Sequence, residues 1–236
     1  MANIKGILFD KDGTLVDFEK TWFAIGDLMA LQAADGDRAR ADELMTAAGY
    51  DFERRGFVAD SVFAAGTNAD IVALWYPQAD QVARQGLTSL FDDLTAEQGA
   101  KQSVALPGAL KAISRLHRTG FRLGVATNDS TGGAEKTLLA LGIAQMFDAA
   151  YGYDAVASPK PAPDAIHAFC DLTGLKPAEI AMVGDNRHDL EMARAGGAGL
   201  AVGVLSGTGT RETLQPLADV ILESIVDLPG YLAGQS

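Results

Sequence analysis

The sequence predicts an α/β fold: a doubly wound, Rossmann-like parallel sheet interrupted near its start by an all-helical insertion. Three observations carry this. An apolar run, Ile7-Leu8-Phe9, lies close to the N-terminus and ends in Asp10-Lys11-Asp12-Gly13-Thr14. Residues 18–100 repeat apolar side chains at helical spacing and show no convincing β alternation. From Val104 onward helix-like and strand-like stretches alternate, the pattern of parallel strands joined by helical crossovers.

The elements follow in order. Ile4 to Phe9 reads as the first strand. Helical spacing recurs in TWFAIGDLMALQAA, ADIVALWY and QVARQGLTSLFDDL. PGALKAISRLHRTG reads as a helix with Pro107 in its first turn and Gly120 at its end. FRLGVAT is a buried strand, GAEKTLLALGI a helix, and PDAIHAFCDLTG a helix opened by Pro163 and Asp164. EIAMVGD is a strand ending in an acid, and NRHDLEMARAGG a helix closed by glycines. GLAVGVLSG and ADVILES supply two further strands. Residues 1–17 and 101–236 therefore form one unit and residues 18–100 another, with hinge candidates near Asp17 and Lys101.

The chain has 236 residues, nearly half of them hydrophobic, enough for a real core. No apolar run approaches the ~18 residues of a membrane span, and no basic stretch leads into a hydrophobic one, so neither a membrane segment nor a signal peptide is expected. The lone Cys170 excludes an internal disulfide. Its helical surroundings read as those of a buried reduced thiol, so a cytoplasmic location is expected. The net charge of −12 argues against nucleic acid or an anionic membrane as a partner. It leaves room for a small anionic substrate, because a local cation inverts the sign of a site. A monomer and a homodimer are both compatible with the sequence.

Ligands of open parallel sheets sit beyond the carboxyl ends of the strands. Four polar clusters fall there: Asp10-Lys11-Asp12, Thr127-Asn128, Lys160, and Asp185 with Asp189. Singly each has an ordinary reading. Asp12-Gly13 suits any turn. Thr127 and Asn128 suit the cap of the helix that begins near Gly132. A lysine is usually solvated, though Lys160 is stiffened between Pro159 and Pro161. Asp189 suits a surface position in a first helical turn. Together the four carboxylates would repel one another unless their pKa values rise or a cation neutralises them. Mg²⁺ fits, since it takes oxygen ligands and keeps waters that a phosphate can replace. Lys160, Thr127, Asn128 and the backbone N–H groups beside Gly13 complete an electrostatic frame for a phosphoryl group.

Several look-alikes fail. An EF-hand starting at Asp10 needs glycine at Leu15 and glutamate at Thr21. GGAEKT has Glu135 where a P-loop has glycine, and SGTGT lacks the third glycine of a dinucleotide fingerprint. His117, His167 and His188 have no metal-ligand spacing, and Trp22, Trp75 and Tyr76 read as core of the helical segment. In that segment Arg54 and Arg55 are candidates to meet a substrate carboxylate, or else a solvated charged turn. The loop FAAGTNAD either reaches the site or joins two helices.

With four motifs in order, the chain resembles the haloacid dehalogenase (HAD) superfamily on its phosphatase branch. DKDGT matches the first motif, VATN carries the second motif's threonine, Lys160 in SPKPAPD the third, and GDNRHDLEMARAGG the fourth. The resemblance implies that Asp10 is a nucleophile forming an aspartyl-phosphate and Asp12 the acid/base. It implies that Asp10, the Asp12 backbone carbonyl and Asp185 hold Mg²⁺, with Asp189 supporting the metal shell or orienting Lys160. Thr127 and Lys160 would hold the phosphoryl oxygens, with Asn128 a further substrate contact. Residues 18–100 resemble a mobile helical cap. The overall look is that of phosphoglycolate phosphatases, acting on a small phosphorylated metabolite. A sugar phosphomutase of the same fold is the alternative. A carbon–phosphorus-cleaving relative would need a cap lysine, and only Lys20 precedes Lys101. A response-regulator receiver would be shorter and carry its acceptor on a later strand.

Overall fold

A computed structural model describes residues 3–234. Strand β1 (Gly6–Phe9) leads into helices α1 (Phe18–Ala33) and α2 (Arg38–Ala48). A hairpin of β2 (Tyr50–Asp51) and β3 (Gly56–Phe57) follows, then α3 (Val62–Ala65), α4 (Asn68–Trp75) and α5 (Gln81–Gln102). The chain continues through α6 (Ala109–Arg118), β4 (Arg122–Ala126), α7 (Thr131–Ala140), β5 (Ala149–Tyr151) and α8 (Asp164–Thr173). It ends with β6 (Ile180–Gly184), α9 (Arg187–Ala195), β7 (Leu200–Val204), α10 (Arg211–Leu214), β8 (Val220–Leu222) and α11 (Leu228–Ala233).

Six strands form one parallel sheet in the order β5-β4-β1-β6-β7-β8. Gly6–Phe9 pairs with Arg122–Val125 on one side and Ile180–Val183 on the other. That register brings the carboxyl ends of β1, β4 and β6 level, so Asp10, Thr127 and Asp185 share one sheet edge by topology alone. Helices cover both faces, which is why the strands read as continuous apolar runs. Ile7, Phe9, Val125 and Val183 face one layer; Leu8, Met182 and Ala201 face the other. On the second face a β-carbon at Gly6 or Gly124 would lie about 3 Å from the Phe169 ring. These two glycines on neighbouring strands thus form the floor on which α8 rests.

Residues 18–91 contribute a separate apolar cluster around Phe18, Met29, Met45, Phe63, Trp75 and Phe91. Its helices start where side chains cap them: Asp17 accepts from Lys20 N, Asp80 from Ala83 N, and Thr67 with Asp70 forms a capping box. The two crossings lie side by side, for Val16 bridges Ala105 and Asp17 N donates to Val104 O. Helix α5 runs on through Lys101, so the second crossing falls at Ser103–Val104. α5 lies along α7 and is pinned by Tyr153, whose hydroxyl donates to Asp92 Oδ2 at 2.5 Å.

The expected elements are present with small shifts. The first strand begins at Gly6, and α6 begins at Ala109, with Gly108 at φ 83° as its cap and Pro107 outside. The helical segment also holds the β2–β3 hairpin, too short for any alternation to register. Glu19 on α1 accepts from Phe57 N and anchors it. β5 likewise escaped the pattern, being a three-residue edge strand defined only by its pairing with β4. Among the described residues no helix is long and apolar enough to cross a membrane. Cys170 is buried in the α8 core layer.

Phe169 is fully buried over the two glycines, so Phe169→Ala should destabilise the protein by about 3–5 kcal/mol. A urea unfolding curve checks this as a lowered midpoint with little change in slope.

Candidate active site

The end of β1 turns sharply into the site. Gly13 sits at φ 79°, and a β-carbon there would lie 2.7 Å from the Asp185 carboxylate. Glycine is therefore required both for the turn and for the close approach. The turn delivers Asp10 beside Asp185 from β6 and Asp189 from α9. One carboxylate oxygen from each of the three lies within 4.8 Å of the others, and all three residues are buried. Lys160 reaches in from the loop before α8, with Nζ 2.5 Å from Asp10 Oδ1 and 2.6 Å from Asp189 Oδ1. Asp189 is not on the surface, the ordinary reading of its place in a first helical turn. It is fully buried and closes a capping box, its Oδ2 accepting from Asn186 N at 3.0 Å. One carboxylate thereby starts the helix and holds the lysine.

The Asp12 side chain stands outside this trio. Its Oδ2 is 2.6 Å from Lys11 Nζ, and its Oδ1 accepts from Trp22 Nε1 at 2.6 Å. Lys11 is also paired with Asp129, at 3.2 Å. Trp22 therefore does more than fill the helical segment's core, while Trp75 stays within it, its indole donating to Leu44 O.

Thr127 and Asn128 line the same pocket, and neither caps α7: Ser130 does, accepting from Gly133 N. Thr127 Oγ1 accepts from Asp129 N at 3.1 Å. Asn128 Nδ2 donates to Ala65 O at 2.7 Å and to Lys160 O at 3.2 Å, and His188 Nδ1 lies 3.2 Å from the same Ala65 carbonyl. The FAAGTNAD loop thus reaches the site, with Ala64 to Asn68 in its wall. Arg54 and Arg55 do not; Arg54 is 85% exposed and pairs with Asp51. The partly open space between the sheet edge and the helical segment has a volume of about 50 Å³.

Sequence reasoning missed the loop after β7. Thr208 N donates to Asp185 Oδ2 at 2.9 Å, Ser206 Oγ to Gly13 O at 2.7 Å, and Thr14 Oγ1 to Asp185 Oδ1 at 3.2 Å. A β-carbon at Gly207 would overlap the Asp185 carboxylate, and one at Gly209 its carbonyl. SGTGT is no dinucleotide fingerprint. Its signal is a glycine-rich loop at the end of a strand, the position that faces a ligand.

Burial pushes the Asp10 carboxyl well above the usual carboxylate range. Lys160 pulls it back, while Asp189, Asp185 and Asp12 push it further. Burial and Asp189 push Asp185 up to about 7, against the bonds from Thr208 and Thr14 and the charge of Lys160. Burial works against the charge on Lys160, but Asp10 and Asp189 outweigh it and hold its pKa above the ordinary lysine value. Three carboxylates with a single ammonium between them leave negative charge uncompensated. Hard oxygen donors this close fit a small divalent cation.

Residues 4–197 match the family model of the haloacid dehalogenase-like hydrolases. The chain belongs to that family. It is 30% identical over 243 residues to the phosphoglycolate phosphatase of Salmonella typhimurium, covering 97% of this chain and 92% of that one. To the phosphoglycolate phosphatase of Escherichia coli K12 it is 31% identical over 241 residues, covering 96% and 91%. Among solved structures, a haloacid dehalogenase-like family protein from Streptococcus pneumoniae superposes with a TM-score of 0.70. Its identity is 19%, and 98% and 99% of the two chains are covered. In this hydrolase the first-motif aspartates, Asp10 and Asp12, occupy two adjacent but separate charge clusters.

The raised Asp185 carboxyl has a consequence for stability. The folded state holds that proton to about pH 7, the unfolded chain only to about pH 4. Stability of the chelator-treated protein is thus lost as pH rises from about 4 to about 7. Melting temperatures should show Asp185→Asn gaining on the wild type between pH 5 and pH 8, and added Mg²⁺ raising the wild type most at pH 8.

Proposed function

We propose that this hydrolase cleaves small phosphomonoesters through an aspartyl-phosphate on Asp10. The observation that carries the reading is Asp10 itself: a buried carboxylate at the end of the central strand, bonded to Lys160, with Asp12 two residues on. A carboxylate oxygen of Asp10 attacks phosphorus, and the bond to the ester oxygen breaks with its electron pair. Asp12, protonated for this step, gives its proton to that oxygen, and the alcohol leaves. Asp12, now a carboxylate, takes a proton from water, whose oxygen attacks phosphorus and releases phosphate and Asp10. Lys160 and Thr127 hold phosphoryl oxygens through both steps, and Asn128 holds the loop at Ala65 over them.

The three-carboxylate cluster supports Mg²⁺ as the cofactor. Asp10, Asp185 and the Asp12 backbone carbonyl would hold it, with Asp189 behind them orienting Lys160. When bound, it supplies the charge that lets an anionic ester approach an acidic edge.

We assign residues 1–17 and 103–236 to the catalytic core and 18–102 to a cap, the second boundary lying at the end of α5 rather than near Lys101. The separate apolar cluster of the segment and its place over the site support this. A pocket of about 50 Å³ holds only a few water positions of ~10–15 Å³ each, so the cap moves to admit substrate. Phosphoglycolate is the first substrate to test, on the names of relatives that match nearly the whole chain. The cap's part of the lining supplies no lysine or arginine among the described residues; beyond the phosphoryl site a carboxylate would meet His188 and amide groups. Uncharged leaving groups therefore belong in the same panel. The buried reduced Cys170 supports the cytoplasm as its location.

Phosphate release from phosphoglycolate, sugar phosphates and nucleotides should require Mg²⁺ and stop with chelator. Asp10→Asn should lower it by at least about a thousandfold. Full turnover by that variant would refute the aspartyl-phosphate.

A further inference from the structure

Lys11 has no task in the chemistry above, yet it is 1% exposed. Its position in DKDGT, between two aspartates that do have tasks, makes that burial informative. Removing an ammonium from water costs several kcal/mol unless partners compensate. Two carboxylates do so here: Asp12 Oδ2 at 2.6 Å and Asp129 Oδ2 at 3.2 Å. The ammonium also lies 5.3 Å from the centre of the Trp22 ring, within cation–π range.

Each partner is itself held. Asp129 Oδ1 accepts from Ser130 N at 2.7 Å, and Asp129 N donates to Thr127 Oγ1, which fixes the residue to the start of α7. Trp22 belongs to α1 and packs against Phe18 and Phe63. Its indole N–H donates to the second Asp12 oxygen, Oδ1, at 2.6 Å. Asp12 is therefore gripped at both oxygens, by the core through Lys11 and by the helical segment through Trp22. A carboxyl group has about four lone-pair directions, so two remain, one to carry the proton given to a leaving group or to accept a proton from water.

We propose that Lys11, Asp129 and Trp22 are positioning residues that fix the Asp12 carboxyl for proton transfer. The inference rests on the reading of Asp12 as acid/base. Proton transfer needs heavy-atom distances of roughly 2.6–3.2 Å, and a carboxyl free to rotate about its side-chain bonds spends most of its time outside that range. Because Trp22 rides on α1, the second grip exists only where the helical segment sits as it does here. Arrival of the segment and alignment of the acid are one event.

The test separates a proton-transfer defect from general damage. Two esters are compared in single-turnover experiments with Mg²⁺: 4-nitrophenyl phosphate, whose leaving group departs without a proton, and a simple alkyl phosphate, whose leaving group needs one. Trp22→Phe and Lys11→Met should slow alcohol release from the alkyl ester by at least about tenfold more than nitrophenol release, with half-saturation changed less than about twofold. Trp22→Phe leaves the buried ion pair in place and serves if Lys11→Met does not fold. In an Asp12→Asn background, Trp22→Phe should add nothing to the ratio between the two esters. An equal loss on both esters, or effects that multiply in the double variant, overturns the positioning role and leaves the hydrolase reading intact. A wild type that cleaves neither ester overturns both.

Discussion

The site depends on one buried ammonium. Lys160 Nζ bonds Asp10 and Asp189 at once, and Asp185 lies within the same oxygen cluster. Remove that charge and three carboxylates face one another away from water, a configuration that neutralises itself by binding protons. The lysine arrives on the loop before α8, while the acids come from β1, β6 and α9. Three separated stretches, around Asp10, Lys160 and Asp185–Asp189, must therefore be in place before the charges balance at all. The register that brings the ends of β1, β4 and β6 level makes this possible. The close approaches over Gly13, Gly207 and Gly209 let the loops shut around Asp185.

Two charge clusters rather than one follow from the geometry of the first motif. Asp10 continues β1 and is served by Lys160. Lys11 and Asp12 lie past the strand end, and Lys11 pairs with both Asp12 and Asp129. Asp10 and Asp12 are two residues apart in sequence, yet each has its own lysine. In the proposed cycle one aspartate must stay ionised to attack while the other changes charge. The charge of Asp12 still pushes the Asp10 carboxyl up, so separate lysines lessen the coupling of those events without removing it.

Most of this was legible because it is carried by strand ends. Strands buried on both faces read as apolar runs, and the polar residue ending each run is at the sheet edge by construction. Strand ends mark Asp10, Thr127 and Asp185, and the setting between prolines marks Lys160. What was not legible depends on contacts between distant segments. Trp22 has the spacing of a core residue and is one, and nothing local marks its indole N–H as bound to Asp12. Nothing local marks Lys11 as buried, because its burial depends on Asp129, more than a hundred residues away. The loop after β7 was visible as glycines but not as the wrapping of Asp185. β5 and the small hairpin are defined by pairing rather than by pattern.

The charge distribution bears on how an acidic chain handles an anionic ester. Three carboxylates and one ammonium carry a formal −3 + 1 = −2 at the sheet edge. The Asp12, Asp129 and Lys11 cluster behind them carries −2 + 1 = −1. The helical segment adds apolar walls, Phe18, Phe63 and Ile71 among them, and no lysine or arginine to the pocket among the described residues. Attraction for a phosphoryl group thus has to come from the sheet edge, where a divalent cation would bring the first cluster from −2 to neutrality. Selection of the leaving group falls to the walls. Apolar walls without a cation select by size and by the desolvation of what they enclose. A second anionic group gains little there, so charge recognition and shape recognition are divided between the two parts of the molecule.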